Sequence, residues 1–249
     1  MAMLEIHKVT KQYKDKLALD QVSLFLEPGI YGLLGPNGAG KSTLMNIISG
    51  SIKPTGGEVR WEGKEIQSLG ARYRSLLGYA PQQQGMYEHF SGMRFLSYMA
   101  ALKGIPGKEQ PAEIERVLRF VNLWDARKRP VGTYSGGMKQ RILIAQAVLG
   151  NPKCIILDEP TAGLDPKERV RIREQIRALS GDLIILVSTH VVSDIEPIAA
   201  EILLLNSGHL AGRGTVEELC GKYGGAKGLE EVYMRIFGEE ESHVSSDRI

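Results

Sequence analysis

The stretch "GPNGAGKST", residues 35–43, constrains the fold of this chain more than any other feature of its sequence. It matches the pattern G-x-x-x-x-G-K-[ST] between the apolar run 30–34 and a run with helical spacing, which is the strand–loop–helix context that the pattern requires. Its glycines let the backbone approach phosphate oxygens without Cβ clashes. The sequence therefore predicts an α/β fold with a phosphate-binding loop, formed by Gly35, Pro36, Asn37, Gly38, Ala39, Gly40, Lys41, Ser42 and Thr43.

Three consecutive residues of this loop carry its distinct chemistry. Lys41 is expected to reach the β- and γ-phosphates of a nucleoside triphosphate, and the Ser42 hydroxyl is expected to ligate Mg²⁺. The N–H group of Thr43 lies at the start of the following helix, where the helix dipole stabilises an anion.

An acidic residue at the end of a buried strand is the second part that such a site needs. The run "CIILDEP" supplies Asp158, which is expected to hold Mg²⁺, usually through water. Glu159 follows it directly and is placed to orient an attacking water and to accept its proton. A charged strand end is the alternative interpretation of these two acids, but "DEP" followed by "TAGLDP" is more pattern than a strand end needs.

Hydrophobic patterning predicts the rest of the fold. Continuous apolar runs at 30–34, 154–158, 183–189 and 201–206 predict buried strands of a parallel sheet, whereas "MLEIHKV" and "LDQVSLFL" alternate as antiparallel strands do. Residues from about 86 to 150 contain amphipathic helical runs with no strand run between them. We predict an α/β P-loop NTPase core with a mainly parallel sheet, an N-terminal antiparallel β subdomain and an all-helical insert.

The domain boundaries follow from this patterning. We place one domain, which contains the phosphate-binding loop, at residues 1–237, with the helical subdomain at about 86–150. The run "GLEEVYMRIFGEE", 228–240, is expected to form a terminal amphipathic helix packed on the domain. Residues 238–249 are polar, and we expect them to form a disordered tail.

Composition excludes several classes of partner. The net charge of +2 over 249 residues provides no global field for nucleic acid, so no nucleic-acid partner is expected. The longest apolar runs, 183–187 and 202–205, are far shorter than the ~20 residues that span a bilayer. We expect a cytosolic chain that reaches a membrane only through a partner. The arginine-rich run "RVRIRE", 169–174, is interpreted as a solvated helix face.

A second glycine-containing loop distinguishes this chain from a simple phosphate-binding protein. "YSGGMKQR", 134–141, places a serine and two glycines before a predicted helix, which also suits an anion. Together with "CIILDEP" and "TAGLD", it resembles the ATP-binding subunits of ABC transporters. The resemblance covers roughly residues 3–237 and rests on six motifs in the family's order. Met138 and Tyr134 depart from the commoner glutamine and leucine, but the serine and both glycines are intact.

The resemblance implies roles for residues that their own chemistry leaves open. Tyr13 matches the aromatic side chain that stacks on adenine. Gln82, in "YAPQ", matches a glutamine that touches the metal or the water and reports nucleotide state to the helical insert. His190, in "LVSTH", matches the histidine that hydrogen-bonds the γ-phosphate. With Lys41 and Glu159, Gln82 and His190 are the expected catalytic residues, and Ser42, Gln82 and Asp158 are the expected Mg²⁺ ligands.

The resemblance also implies that two chains share each site. Ser135, Gly136 and Gly137 match the family signature, in which Ser135 and Gly137 contact the γ-phosphate of ATP bound to the other subunit. Asp165 matches an aspartate at the dimer interface, although a helix N-cap alone could explain it. The implied assembly is a homodimer, or a heterodimer with a similar ATPase subunit, that clamps two ATP molecules.

A membrane role is implied in the same way. The assembly would drive a separate membrane permease and lie at the cytoplasmic face of the cell membrane. The stretch 134–166 looks most like export-type members of the ABC-2 subgroup. Two alternatives stay open: a soluble ABC-type ATPase in repair or cofactor assembly, and a P-loop kinase, which would have no use for "SGG" or "STH".

Overall fold

The computed structural model describes residues 3–82, 85 and 87–244, with side chains described as far as residue 238. The strands are β1 (Leu4–Tyr13), β2 (Lys16–Leu26), β3 (Gly29–Leu34), β4 (Gly56–Trp61), β5 (Lys64–Glu65), β6 (Leu77–Ala80), β7 (Cys154–Asp158), β8 (Ile184–Ser188), β9 (Glu201–Asn206) and β10 (His209–Gly214). The helices are α1 (Lys41–Ile48), α2 (Ile66–Leu69), α3 (Ala71–Leu76), α4 (Gly92–Leu102), α5 (Gln110–Phe120), α6 (Gly136–Val148), α7 (Pro166–Ala178), α8 (Val192–Ile195), α9 (Val216–Lys222) and α10 (Leu229–Val244).

Two sheets organise these elements. The larger one has the strand order β10-β9-β3-β8-β7-β6, and its pairs are parallel except for β9 with β10. The smaller one has the order β2-β1-β4-β5 and is antiparallel throughout. The predicted α/β class, with a mainly parallel core sheet and an N-terminal antiparallel subdomain, is confirmed.

The larger sheet is buried on both faces, which explains its continuous apolar runs. In β7, Ile155 and Leu157 pack with the helices of the insert, whereas Cys154 and Ile156 pack toward the smaller sheet and α1. Alternate residues of one strand thus belong to two hydrophobic cores, because successive side chains of a strand point to opposite faces.

The predicted helical insert is present as α4, α5 and α6. Within the described residues 87–150 the β-type pairing is a single isolated bridge between Ser91 and Pro130. Helix α6 also joins the insert to the core sheet, since a Cβ on Gly78 of β6 would lie 2.0 Å from the carbonyl oxygen of Ala147. Glycine at position 78 therefore permits the close approach of β6 and α6.

The end of the chain differs from the predicted boundary. Helix α10 buries Leu229, Val232 and Phe237 against the core, as expected for a terminal amphipathic helix. It continues past residue 237 to Val244, so the tail predicted for 238–249 begins too early. The glutamates after Phe237 have high helix propensity, which favours this continuation. Residues 245–249 lie outside the described residues.

Among the described helices, none combines the length and the hydropathy that a bilayer span requires.

Candidate active site

A cleft of about 250 Å³ opens where β3 and β7 end at the carboxyl edge of the larger sheet. Open α/β sheets bind ligands at this edge. The cleft is bounded on one side by the β1–β2 hairpin and on the other by the phosphate-binding loop and the end of β7. Its lining residues are Tyr13, Lys16, Ala18, Asn37, Gly38, Gly40, Lys41, Ser42, Thr43, Gln82, Asp158 and Glu159.

At two positions of the 35–43 loop, no residue other than glycine fits the backbone conformation or the space around it. Gly40 has φ 106°, and a Cβ there would lie 2.5 Å from the carbonyl oxygen of Ala18. A Cβ on Gly35 would lie 2.2 Å from the carbonyl oxygen of Leu205. Gly35, Pro36 and Ala39 form the loop without lining the cleft, and the N–H of Gly208 donates to Ala39 to fix it from behind.

Lys41 begins α1 and is almost fully buried. Its Nζ donates to the carbonyl oxygens of Gly35 and Pro36 at 2.6 and 3.1 Å, so the ammonium group lies under the arch of the loop. Burial lowers the pKa of Lys41, and the nearby carboxylates of Glu159 and Asp158 partly oppose that shift. The ammonium group of Lys41 therefore places a positive charge at the floor of the cleft.

The other predicted cleft residues come from separate elements. Ser42 is exposed and Thr43 half-buried in the first turn of α1. Gln82 is exposed just after β6. The ring of Tyr13, at the end of β1, is 44% exposed and lies 5.0 Å from the Nζ of Lys11. A polar floor and an aromatic wall therefore face the same space.

Asp158 and Glu159 are buried carboxylates tied to the neighbouring strand. The Oγ of Ser188 donates to Oδ1 of Asp158 at 2.5 Å. The backbone N–H of Glu159 donates to both the carbonyl oxygen and the Oγ of Ser188, at 3.1 Å each. Sequence reasoning missed Ser188, although a signal existed: in a parallel sheet the ends of neighbouring strands meet, and here Asp158 pairs with Ser188.

His190 joins the site through Glu159. The chain turns sharply at Glu159, which has φ 50°. Its Oε2 lies 2.9 Å from Nδ1 of His190. The carboxylate is buried, whereas the histidine side chain is 55% exposed and does not line the cleft itself. The pair thus connects the inside of the cleft to the protein surface.

The serine–glycine loop and Asp165 lie apart from the residues that line the cleft. Ser135 and Gly136 are exposed, and the Oγ of Ser135 accepts from the N–H of Met138 at 3.3 Å as the N-cap of α6. Asp165 is the exposed N-cap of α7, with Oδ1 accepting from Glu168 at 3.0 Å. A Cβ on Gly137 would lie 2.6 Å from the Glu168 carboxylate, so the two loops are neighbours.

One largely buried ion pair stabilises this second region. Arg141, in α6, contacts the carboxylate of Glu168 at 3.5 Å and donates to the carbonyl oxygens of Val121 and Asn122. Burial lowers the pKa of the Arg141 guanidinium, and Glu168 opposes that shift. The structure therefore fixes the serine–glycine loop against the start of α7 and presents it on the outer surface.

Comparisons with known proteins agree with this geometry. Residues 19–162 match the family model described as ABC transporter. The chain is 36% identical over 218 residues to the ABC transporter ATP-binding protein YxlF of Bacillus subtilis, covering 87% of this chain and 72% of YxlF. Matched members of the ABC transporter A family are longer, and the chain spans between 23% and 26% of their length.

Solved structures show the same fold. An ATP binding subunit of an ABC transporter superposes with a TM-score of 0.83 at 27% identity, covering 94% of this chain and 98% of that one. A dimeric ATP-binding cassette in a post-hydrolysis state, bound to ADP and Pi, gives a TM-score of 0.77 at 27% identity over 85% of this chain and 98% of that one. The chain therefore belongs to the ABC transporter family, as one of its ATP-binding, ATP-hydrolysing subunits.

Proposed function

We propose that the cleft binds ATP with its phosphates on the 35–43 loop. Lys41 and the N–H groups of the loop and the α1 start contact the phosphates, and Tyr13 stacks on the adenine. The depth and polarity of the cleft support this placement, since the cationic amine lies at its floor and the aromatic ring at its wall.

Mg²⁺ fits the donors that line the cleft. Ser42, Gln82 and Asp158 all offer oxygen atoms, which this cation prefers, and all three line the same space. When bound, Mg²⁺ neutralises charge on the β- and γ-phosphates. Ser188 orients the Asp158 carboxylate through its short hydrogen bond.

Hydrolysis is carried by the Glu159–His190 pair. Glu159 orients a water and accepts its proton, while His190 holds the carboxylate and reaches toward the γ-phosphate. The single observation that supports this assignment best is the 2.9 Å contact between Nδ1 of His190 and Oε2 of Glu159, beside the buried Asp158.

Two copies of the chain form the working unit. The Ser135–Gly137 loop, with Asp165 beside it, completes the ATP site of a second chain, and ATP bridges the two. The outward exposure of that loop supports this arrangement, and two of the similar solved structures are described as dimeric cassettes. A heterodimer with a similar ATPase subunit would be built in the same way.

The dimer drives a separate membrane permease from the cytoplasmic face of the cell membrane, in the export direction. The helical insert, packed around α6 and joined to the core sheet there, is the part placed to transmit the motion. Affinity purification of the full chain from solubilised membranes is expected to retain a polytopic membrane protein. Recovery of the chain alone, or with a soluble repair complex, would contradict the membrane role.

The activity itself is tested by phosphate release. The purified chain is expected to release inorganic phosphate from ATP with Mg²⁺ present and to stop when EDTA is added. Transfer of the γ-phosphoryl group to an added acceptor hydroxyl, with no phosphate release in its absence, would overturn the ATPase assignment in favour of a kinase.

A further inference from the structure

Helix α7 carries three arginines at four-residue spacing, Arg169, Arg173 and Arg177, which this spacing places on one face. Their side chains contact the segment 193–197, which begins three positions after His190. The sequence pattern indicated a solvated face for this region, and for Arg169 and Arg173 that interpretation holds only in part, because their side chains are 31% and 22% exposed and pair with Asp194. The reason is the packing of α8 against α7, which periodicity within α7 alone does not reveal.

Asp194 is the centre of these contacts. It is 6% exposed, with Oδ2 3.5 Å from Nη1 of Arg169 and Oδ1 3.5 Å from Nη1 of Arg173. Arg173 also donates to the carbonyl oxygen of Ser193 at 2.8 Å. A buried carboxylate is tolerated only when it is paired, so Asp194 requires these guanidinium groups.

Helix α8 depends on this pairing for its position. It contains the four residues Val192–Ile195, and a single helical turn has little stability of its own. It begins two positions after His190 on the same short connection from β8. The two arginines that pair with Asp194 therefore also constrain the position of His190 relative to Glu159.

Arg169 makes a second contact, on the opposite side of its guanidinium. Its Nε donates to the carbonyl oxygen of Leu164 at 3.0 Å, directly before Asp165. One planar group thus connects the loop at Asp165 to the helix that follows His190. A lysine at position 169 could not replace this arrangement, because its single ammonium group lacks the two donors that a guanidinium holds in one plane.

We infer that Arg169 and Asp194 form a positioning pair that couples the Asp165 loop to His190. A second chain at Asp165 fixes the Leu164 carbonyl, and Arg169 and Asp194 pass that constraint to α8, so that His190 keeps its 2.9 Å contact with Glu159 during hydrolysis. This inference rests on the proposed function, in which His190 and Glu159 act on ATP. It assigns hydrolysis a dependence on contact at the loop that is separate from nucleotide binding.

A double-mutant cycle tests this coupling. Arg169→Met, His190→Ala and the double variant are compared in single-turnover hydrolysis of radiolabelled ATP by the full chain. Arg169→Met alone is expected to lower the hydrolysis rate about tenfold while the KM for ATP stays within about twofold. In the His190→Ala background the same change is expected to alter the residual rate less than about twofold, because the route ends at His190.

Matched variants separate positioning from general stability. Arg177→Met removes a neighbouring arginine that donates to the carbonyl oxygen of Pro197 but touches neither Asp194 nor Leu164. It is expected to hydrolyse ATP as the wild type does. Asp194→Asn keeps the shape of the side chain and replaces Arg169→Met in the double-mutant cycle if Arg169→Met unfolds. Arg169→Lys is expected to recover little of the hydrolysis rate that Arg169→Met loses.

The outcomes are distinguishable. An equal loss from Arg169→Met, or from Asp194→Asn, in the wild-type and His190→Ala backgrounds overturns the coupling, as does an equal loss in Arg177→Met. Wild-type rates in Arg169→Met together with a defective His190→Ala overturn the coupling and leave the proposed function intact. Wild-type rates in His190→Ala overturn the proposed role of His190 itself.

Discussion

The two glycine-containing loops of this chain use similar residues in opposite settings. The loop at 35–43 is folded inward: the Nζ of Lys41 is held by its carbonyl groups, and it forms the floor of a cleft. The loop at 135–137 is turned outward, with Ser135 and Gly136 exposed at the start of α6. The first loop has its own cleft, whereas the second is open at the surface. Under the proposed function, one chain therefore provides two different halves of a site.

The largest expected effect tests the inward loop. Lys41→Ala removes the buried amine and is expected to abolish productive ATP binding and hydrolysis, because the phosphates lose their cationic contact in a polar but desolvated site. Binding is measured by titration with a fluorescent ATP analogue. Lys16→Ala is the matched control: Lys16 lines the same cleft but is exposed, so ATP affinity should fall only slightly. Unchanged ATPase activity in Lys41→Ala would refute the site assignment.

The next effect separates binding from hydrolysis within the inward site. Glu159→Gln keeps the size of the side chain but removes the base, so hydrolysis should slow by about 10²- to 10⁴-fold while ATP still binds. Single-turnover phosphate release measures the rate. Glu174→Gln, an exposed acid of α7, is expected to leave it unchanged. Rapid hydrolysis by Glu159→Gln would remove the proposed base from the mechanism.

The outward loop should fail in a different way. Gly137→Asp places a carboxylate where a Cβ alone would lie 2.6 Å from the Glu168 carboxylate, and like charges repel there. We expect hydrolysis to fall at least about tenfold while one chain still binds ATP with nearly wild-type affinity. Gly107→Asp, which changes an exposed glycine between α4 and α5 with open space around its Cβ position, serves as the control for added charge. Parallel loss of ATP binding and hydrolysis in Gly137→Asp would place this loop in the chain's own cleft.

Adenine stacking gives a smaller effect on the inward site. Tyr13→Ala is expected to weaken ATP binding about fivefold to a hundredfold, the range found when a ring that stacks on a base is removed. Tyr13→Phe keeps the ring and should bind normally. Titration with ATP measures the two affinities. Equal losses of affinity in both variants would indicate that the Tyr13 hydroxyl, rather than its ring, contacts the nucleotide.

The smallest effect concerns a contact within the helical insert, between the end of α4 and the end of α6. The Nζ of Lys103, at the end of α4, donates to the carbonyl oxygen of Leu149 at 2.6 Å, and burial lowers the pKa of Lys103 to about 8. Below that pH the lysine is charged in both folded and unfolded chains, and its burial destabilises the fold. As the pH rises from about 8 toward the unfolded value of 10.5, the folded chain loses its proton first, so stability increases.

Lys103→Met is therefore expected to be more stable than the wild type at pH 7, by about 1–2 kcal/mol, since the hydrogen bond and remaining exposure offset part of the burial cost. The difference should narrow by pH 10. Urea denaturation at both pH values measures it. A difference in the free energy of unfolding that does not change with pH would show that the charge of Lys103 does not affect the stability of the chain.

The sequence predicted the inward site better than the outward one. The apolar runs, the 35–43 pattern and the acids after "CIILD" are local signals, and the structure brings their side chains into one cleft. Asp165 as the N-cap of α7 was also predictable, because the cap and the proline after it are adjacent in the chain.

Contacts between distant segments were not predictable in this way. The hydrogen bond from Ser188 to Asp158, the packing of Gly137 on Glu168 and the burial of Asp194 between two arginines each join residues that are at least 20 positions apart. They depend on strand order and helix packing, and a single sequence considered on its own carries little information on either.

The mass of the ATP-bound Glu159→Gln variant tests the central claim most directly. In Mg²⁺ and saturating ATP, light scattering is expected to give twice the 27.4 kDa of one chain, and the same variant without nucleotide should give one chain mass. Adding Gly137→Asp to Glu159→Gln should return the mass to that of a single chain with ATP still bound. A single-chain mass for Glu159→Gln at saturating ATP, or a dimer that Gly137→Asp leaves unaffected, would contradict an ATP site completed by a second copy.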